Sequence, residues 1–138
     1  VNQSSIVIPQ TYNILKKIDI VSARTLFYLH SNSIMDWKKL TFKNIVEKEY
    51  RKKKVMNIIS IGDAEYEHQA LVGLTTTNMD KIKYLKSFRL LRDPDHDNII
   101  DQLKVLNMYI PHLCYKRKQI CKTFKKSPCV KCETTSNT

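Results

Sequence analysis

The stretch Asn57 to Leu71, NIISIGDAEYEHQAL, is a run of aliphatics that stops on Gly-Asp, with two more acids in the next four residues. Its first half, IISI, lacks the polar alternation of a half-exposed strand and reads as a strand buried on both faces, VMNIISIG in full. The helix AEYEHQALVGL follows at once. In open α/β sheets the chemistry lies at the carboxyl ends of the strands, and Asp63 stands at such an end. Gly62 lets the backbone turn there, and Asp63, Glu65 and Glu67 crowd a first helical turn whose dipole tolerates negative charge. Hard carboxylate oxygens at a strand end suit Mg²⁺, which takes one or two carboxylates, waters and a substrate phosphate. The same residues also fit a simpler arrangement, in which Asp63 caps the helix and the two glutamates are solvated.

Outward from this stretch, helix and strand alternate. Ile8 to Ile18 places Ile8, Tyr12 and Leu15 on one helical face. Ile18 to Ala23 is a short β-branched strand, and RTLFYLH a short helix or turn. DWKKLTFKNIVEKEYRKK opens on Asp36 as N-cap and sets Phe42, Ile45, Val46 and Tyr50 on one side. Tyr84 to Leu91 is a strand. DHDNIIDQLKVLNMYI is a long helix with Ile99, Leu103, Leu106 and Ile110 in register, ended or kinked by Pro111. A second, basic helix runs to about Phe124, and the last dozen residues read as disordered. Strands separated by helices imply a parallel sheet covered on both faces, hence an α/β fold of the open Rossmann type.

Composition bounds the possibilities. The 138 residues suit one small domain, and two Gly and four Pro leave most of the chain for regular structure. No apolar run approaches the roughly 18 residues of a transmembrane helix, and no signal peptide is visible, so an intracellular, cytoplasmic location is expected. Of the net charge of +11, residues 114–132 supply seven cations and no acid, leaving +4 for the rest, with a second cluster at Arg51 to Lys54. Such a tail can bind nucleic acid or acidic lipid, or simply be solvated. Nucleic acid is disfavoured as a partner, because only Tyr115 and Phe124 interleave the cations and no nucleic-acid motif is present. Cys114, Cys121, Cys129 and Cys132 all lie in this last quarter, and the lone CxxC does not make a zinc site, so free thiols are expected.

Two further stretches bear on the Gly-Asp. The strand ending on Ser22 offers a hydroxyl and free backbone N–H groups to a phosphate oxygen. Lys38 and Lys39 stand in the first turn of a helix, where the dipole disfavours cations unless an anion is shared there. In order, IVSAR, WKKLTF and NIISIGDAEYEHQAL resemble the second, third and fourth motifs of the haloacid dehalogenase (HAD)-like superfamily. They look like an unassigned eukaryotic or protist branch. The resemblance covers about residues 10–110 and implies a three-layer Rossmann-type fold and a Mg²⁺-dependent phosphatase or hydrolase. It assigns Ser22 to the phosphoryl oxygens, Lys38 to charge neutralisation, and Asp63 and Glu67 to the metal. Glu67 stands where the family has a second Asp.

The family's first motif, a central strand ending Asp-x-Asp whose first Asp is the nucleophile, has no counterpart here. DPDHD (Asp93 to Asp97) has the spacing but follows the arginine-broken FRLLR, and reads as an N-cap cluster for the long helix. Without that strand, two apolar edges face a gap whose unpaired backbone groups are costly. With Val1 as the first residue, the expectation is a truncated HAD-like domain over residues 1–113, inactive as it stands, followed by a basic cysteine-bearing tail over residues 114–138. The expected partners are a phosphorylated small molecule or protein and an upstream N-terminal segment that completes the sheet. Two alternatives stay open: a non-catalytic HAD-like scaffold for protein binding, and a basic-tail module for nucleic acid or membrane surfaces.

Overall fold

Residues 9–52, 57–76 and 84–125 are described by a computed structural model. The element order is α1 (Pro9–Leu15), α2 (Ala23–Phe27), α3 (Ile34–Lys52), β1 (Asn57–Gly62), α4 (Glu65–Gly73), a 3₁₀ turn (Leu74–Thr76), β2 (Tyr84–Arg89), α5 (His96–Tyr115) and β3 (Ile120–Thr123). The strands form one open sheet in the order β1-β2-β3, parallel throughout. The fold is therefore α/β, as expected. Among the described residues no helix is long and apolar enough to cross a membrane.

Register decides which side chains meet which helix. Ile58 lies beside Leu85, and Ser60 beside Ser87. Leu85 and Ile58 pack with Phe42 and Val46 of α3, Leu71 of α4 and Leu74 just after it. On the other face Ile59, Phe88 and Ile120 pack with Leu106 and Leu113 of α5 and with Phe124. The molecule thus has three layers, with α3 and α4 on one face and α5 on the other. Burying Leu71 and Leu113 almost completely contributes roughly 1.5–3 kcal/mol each. Both crossovers step the same way across the sheet but pass over opposite faces. They are consequently of opposite hand, and one breaks the strong right-handed preference of parallel connections.

Several expectations are corrected. Residues 19–22 form no regular element, only Ser22 being recorded as extended, and Ile18, Ile20 and Val21 are exposed. Their β-branched composition favours a strand, but among the described residues no partner strand lies beside them. The chain after α5 is not a helix but β3, which pairs with β2, so the sheet and its core run past position 113 to Phe124. The short ICKT can join a parallel edge because its partner's ladder groups are already in place. α3 starts at Ile34, not after Asp36; Ser33 O accepts from Trp37 N, and Asp36 accepts from Ser31 Oγ at 2.8 Å. α5 runs through Pro111 to Tyr115, where the Lys116 N–H donates to His112 O. Its buried stripe is Gln102, Leu106 and Leu113, leaving Ile99, Leu103 and Ile110 exposed, because a three-stranded sheet is too narrow to cover both stripes. Asp95 does cap α5, accepting from Asn98 N at 2.8 Å. Cys114 and Cys121 are free thiols, while Cys129, Cys132, Val55, Met56 and the final dozen residues lie outside the described residues.

The central strand carries a lysine. Lys86 is fully buried, and its ammonium donates to the carbonyls of Leu113 and Lys116, the latter at 2.6 Å. These are acceptors at the C-terminus of α5, where a cation also meets the favourable end of the helix dipole. Burial nonetheless pushes the Lys86 ammonium below its usual pKa.

Candidate functional site

The carboxyl ends of β1 and β2 gather two carboxylate–cation pairs. Lys38 lies on the stripe of α3 that continues through Phe42 and Val46 into the core, so its side chain is carried to the end of β1. There Lys38 Nζ meets Glu67 Oε1 at 2.9 Å. The closeness of Glu67 to β1 explains Gly62: a Cβ at that position would stand 2.6 Å from Glu67 Cγ. The other oxygen, Glu67 Oε2, is buried and has no hydrogen-bond partner among the described residues. Beside this pair Arg89, the last residue of β2, holds Glu65 at 2.8 Å. The Gln69 side chain donates to Glu65 at 2.8 Å, and this bond, helped by Arg89, holds the Glu65 carboxyl below its usual pKa.

Asp63 does not cap α4. The N-cap is Ala64, without a side-chain hydrogen bond, and the Asp63 carboxylate is exposed. Asp63 lines a hollow of about 290 Å³ together with Leu90, Leu91, Pro94, Ile99 and Leu103. The structure therefore brings Lys38 and Glu67 together and sets Asp63 next to the glycine on which Glu67 rests. It does not bring in Ser22. That hydroxyl caps α2, accepting from Thr25 N at 3.2 Å and from Thr25 Oγ1 at 2.9 Å. Among the described residues no hydrogen bond joins Ser22 to Lys38, Asp63 or Glu67.

Among the described residues no three His, Cys, Asp or Glu side chains cluster as metal ligands. The oxygens on offer are the exposed Asp63 carboxylate and the orphaned Glu67 Oε2. Two carboxylates are as many as an open Mg²⁺ site requires, but Asp63 faces the hollow with Leu90, Leu91 and Leu103 while Glu67 lies against Gly62 and Lys38, and among the described residues no contact joins the two.

Sequence reasoning passed over Arg89, His68 and Ser87. Arg89 had a readable signal, a cation at a strand end one sheet position from an acid-rich turn. His68 Nδ1 lies 2.9 Å from Ser87 Oγ, a hydroxyl buried in the central strand. A polar group in that place needs a partner, and His68 supplies it from α4. No protein-family model, no curated protein and no solved structure matches the chain.

Proposed function

We propose that this chain is the part of a HAD-like, Mg²⁺-dependent phosphatase or hydrolase that carries the charge-neutralising lysine and the metal carboxylates. The nucleophile is supplied by a further strand. The observation that carries the reading is the Lys38–Glu67 pair at the carboxyl end of β1, between residues 29 positions apart that the resemblance places in one site.

The roles follow from the chemistry. Lys38 neutralises charge on the phosphate and on the attacking carboxylate. Asp63 and Glu67 would hold Mg²⁺, which when bound would screen the charge of the phosphoryl oxygens from the nucleophile. Ser22 gives its hydroxyl to a phosphoryl oxygen, for which it must leave its cap on α2. An Asp from the added strand would attack phosphorus as the P–O bond to the leaving alcohol breaks, the second Asp of that motif would protonate the alcohol, and water would then release phosphate from the aspartyl-phosphate. The place for that strand is the outer edge of β1, which has one strand neighbour among the described residues. The exposed aliphatics Ile18, Ile20 and Val21 show that apolar surface is left for a further segment to cover. The substrate is a phosphorylated small molecule or protein, and the 138-residue chain alone is inactive on it.

The test is phosphate release from a panel of phosphomonoesters by the natural gene product, with Mg²⁺ and with EDTA. The proposal expects Mg²⁺-dependent turnover that falls at least about 100-fold in Asp63→Asn and in Lys38→Ala. A gene product with no Asp-x-Asp strand, or one whose activity ignores both substitutions, sinks the catalytic reading and leaves a scaffold for protein binding.

A further inference from the structure

The last acid before the tail is Asp101, and from 102 to 132 the chain holds cations only. In sequence this is a basic run poor in aromatics. The fold changes its surroundings. β3 returns alongside the second half of α5, and the two enclose a groove of about 720 Å³ on the α5 face of the sheet. Lys118 and Lys122 line one side, Met108, Tyr109 and His112 the other, with Ile120 on the floor. Among the described residues no carboxylate lines it. Lys116 and Arg117 before β3 and Lys125 after it are exposed nearby in sequence.

The rings are held in place before any ligand arrives. Phe88 on β2 packs against Phe124 at 5.4 Å and against Tyr109 at 6.0 Å. Tyr109 in turn meets His112 edge-on at 6.4 Å. Tyr109 is nevertheless exposed on its outer side, and Met108 beside it is 80% exposed. A fixed, half-exposed ring that shares a concave surface with two lysines offers both halves of one ligand chemistry. The rings take flat bases, and the ammonium groups take the phosphates between them.

We propose that the α5–β3 groove binds single-stranded nucleic acid, with bases stacked on Tyr109 and His112 and the backbone tracked by Lys118 and Lys122. An acidic membrane is the poorer fit, because a bilayer surface calls for protruding apolar side chains on a convex or flat face and gains nothing from a groove. The inference is independent of the phosphohydrolase reading, since the groove lies on the opposite face from Lys38 and Glu67.

The experiment is fluorescence anisotropy of the 138-residue chain with a labelled 12-nucleotide poly(U) strand across a salt series. Parallel runs use a duplex of the same length and vesicles of 30% phosphatidylserine. The groove predicts binding to the single strand, with affinity falling linearly in log–log against salt. Lys118→Gln/Lys122→Gln lowers the magnitude of that slope by about 1.4, at about 0.7 per lost phosphate contact. Tyr109→Leu keeps the packing on Phe88 but weakens binding at least about fivefold with little change in slope. The distant pair Lys17→Gln/Lys48→Gln, which removes the same charge, leaves the groove's contribution in place. Three results overturn the proposal: no binding to the strand at low salt, equal losses from the groove pair and the distant pair, or vesicle binding that exceeds strand binding.

Discussion

Gly62 is the residue on which the site's geometry turns. A methyl group there meets Glu67 at a distance that no Cβ tolerates, so Gly62→Ala must push Glu67 away from Lys38. The expected loss is about 1–3 kcal/mol in chemical denaturation, the usual cost of overpacking. Lys38→Met acts on the same pair from its other end, leaving a mostly covered carboxylate without its cation. It should cost about 1–2 kcal/mol, between the values for exposed and buried pairs, and adding Glu67→Gln should recover most of the loss. A double-mutant cycle measures the coupling. Lys86 gives a pH test. Its folded pKa is lowered, so below that value the folded chain carries an ammonium that the unfolded chain holds more comfortably. The penalty is present at neutral pH, shrinks as pH rises through the folded value, and is gone above the unfolded value of 10.5. The stability of the wild type relative to Lys86→Met should therefore rise with pH across that alkaline window, as read from denaturation midpoints.

At the scale of elements, α5 holds the clearest tension. Pro111 sits inside a helix that continues to Tyr115, so one intrahelical hydrogen bond is missing and the ring crowds the preceding turn. Pro111→Ala should raise the thermal midpoint, worth about 1–3 kcal/mol, without changing the sheet. The elements also show where sequence reading succeeds. β1, α4, β2 and α5 were legible because each is long enough, or apolar enough, for its own pattern to decide. The motif order put Lys38 and Glu67 in one site with separate roles, and their direct ion pair was not legible, since nothing local joins them. Residues 18–22 read as a strand because β-branched composition reports preference and not the presence of a neighbour. β3 was missed for the converse reason: four residues, two of them polar, reveal nothing until β2 lies beside them. The buried stripe of α5 was misassigned because Ile99, Leu103 and Ile110 form as good a periodic face as Leu106 and Leu113. The width of the sheet chooses between the two, and the sequence does not state that width.

Among the described residues the molecule is short of cover. Ile18, Ile20, Leu26 and Leu29 are exposed around the N-terminal helices, and Ile99, Leu103 and Ile110 along α5. Surfaces of this kind mark interaction sites or strands awaiting a neighbour. A net charge of +11 keeps such a chain apart at low salt. Raising the salt should screen that repulsion and drive self-association, visible as a rise in weight-average mass by light scattering. A segment that completes the sheet at the β1 edge should suppress it. The central claim remains that Lys38, Asp63 and Glu67 form the electrostatic half of a phosphoryl-transfer site. Its most direct measurement is Mg²⁺-dependent phosphate release by the natural gene product, compared with its Asp63→Asn and Lys38→Ala variants. The account predicts turnover in the first and loss of at least about 100-fold in each of the others. Equal turnover in all three, or none in the unaltered protein, would contradict it.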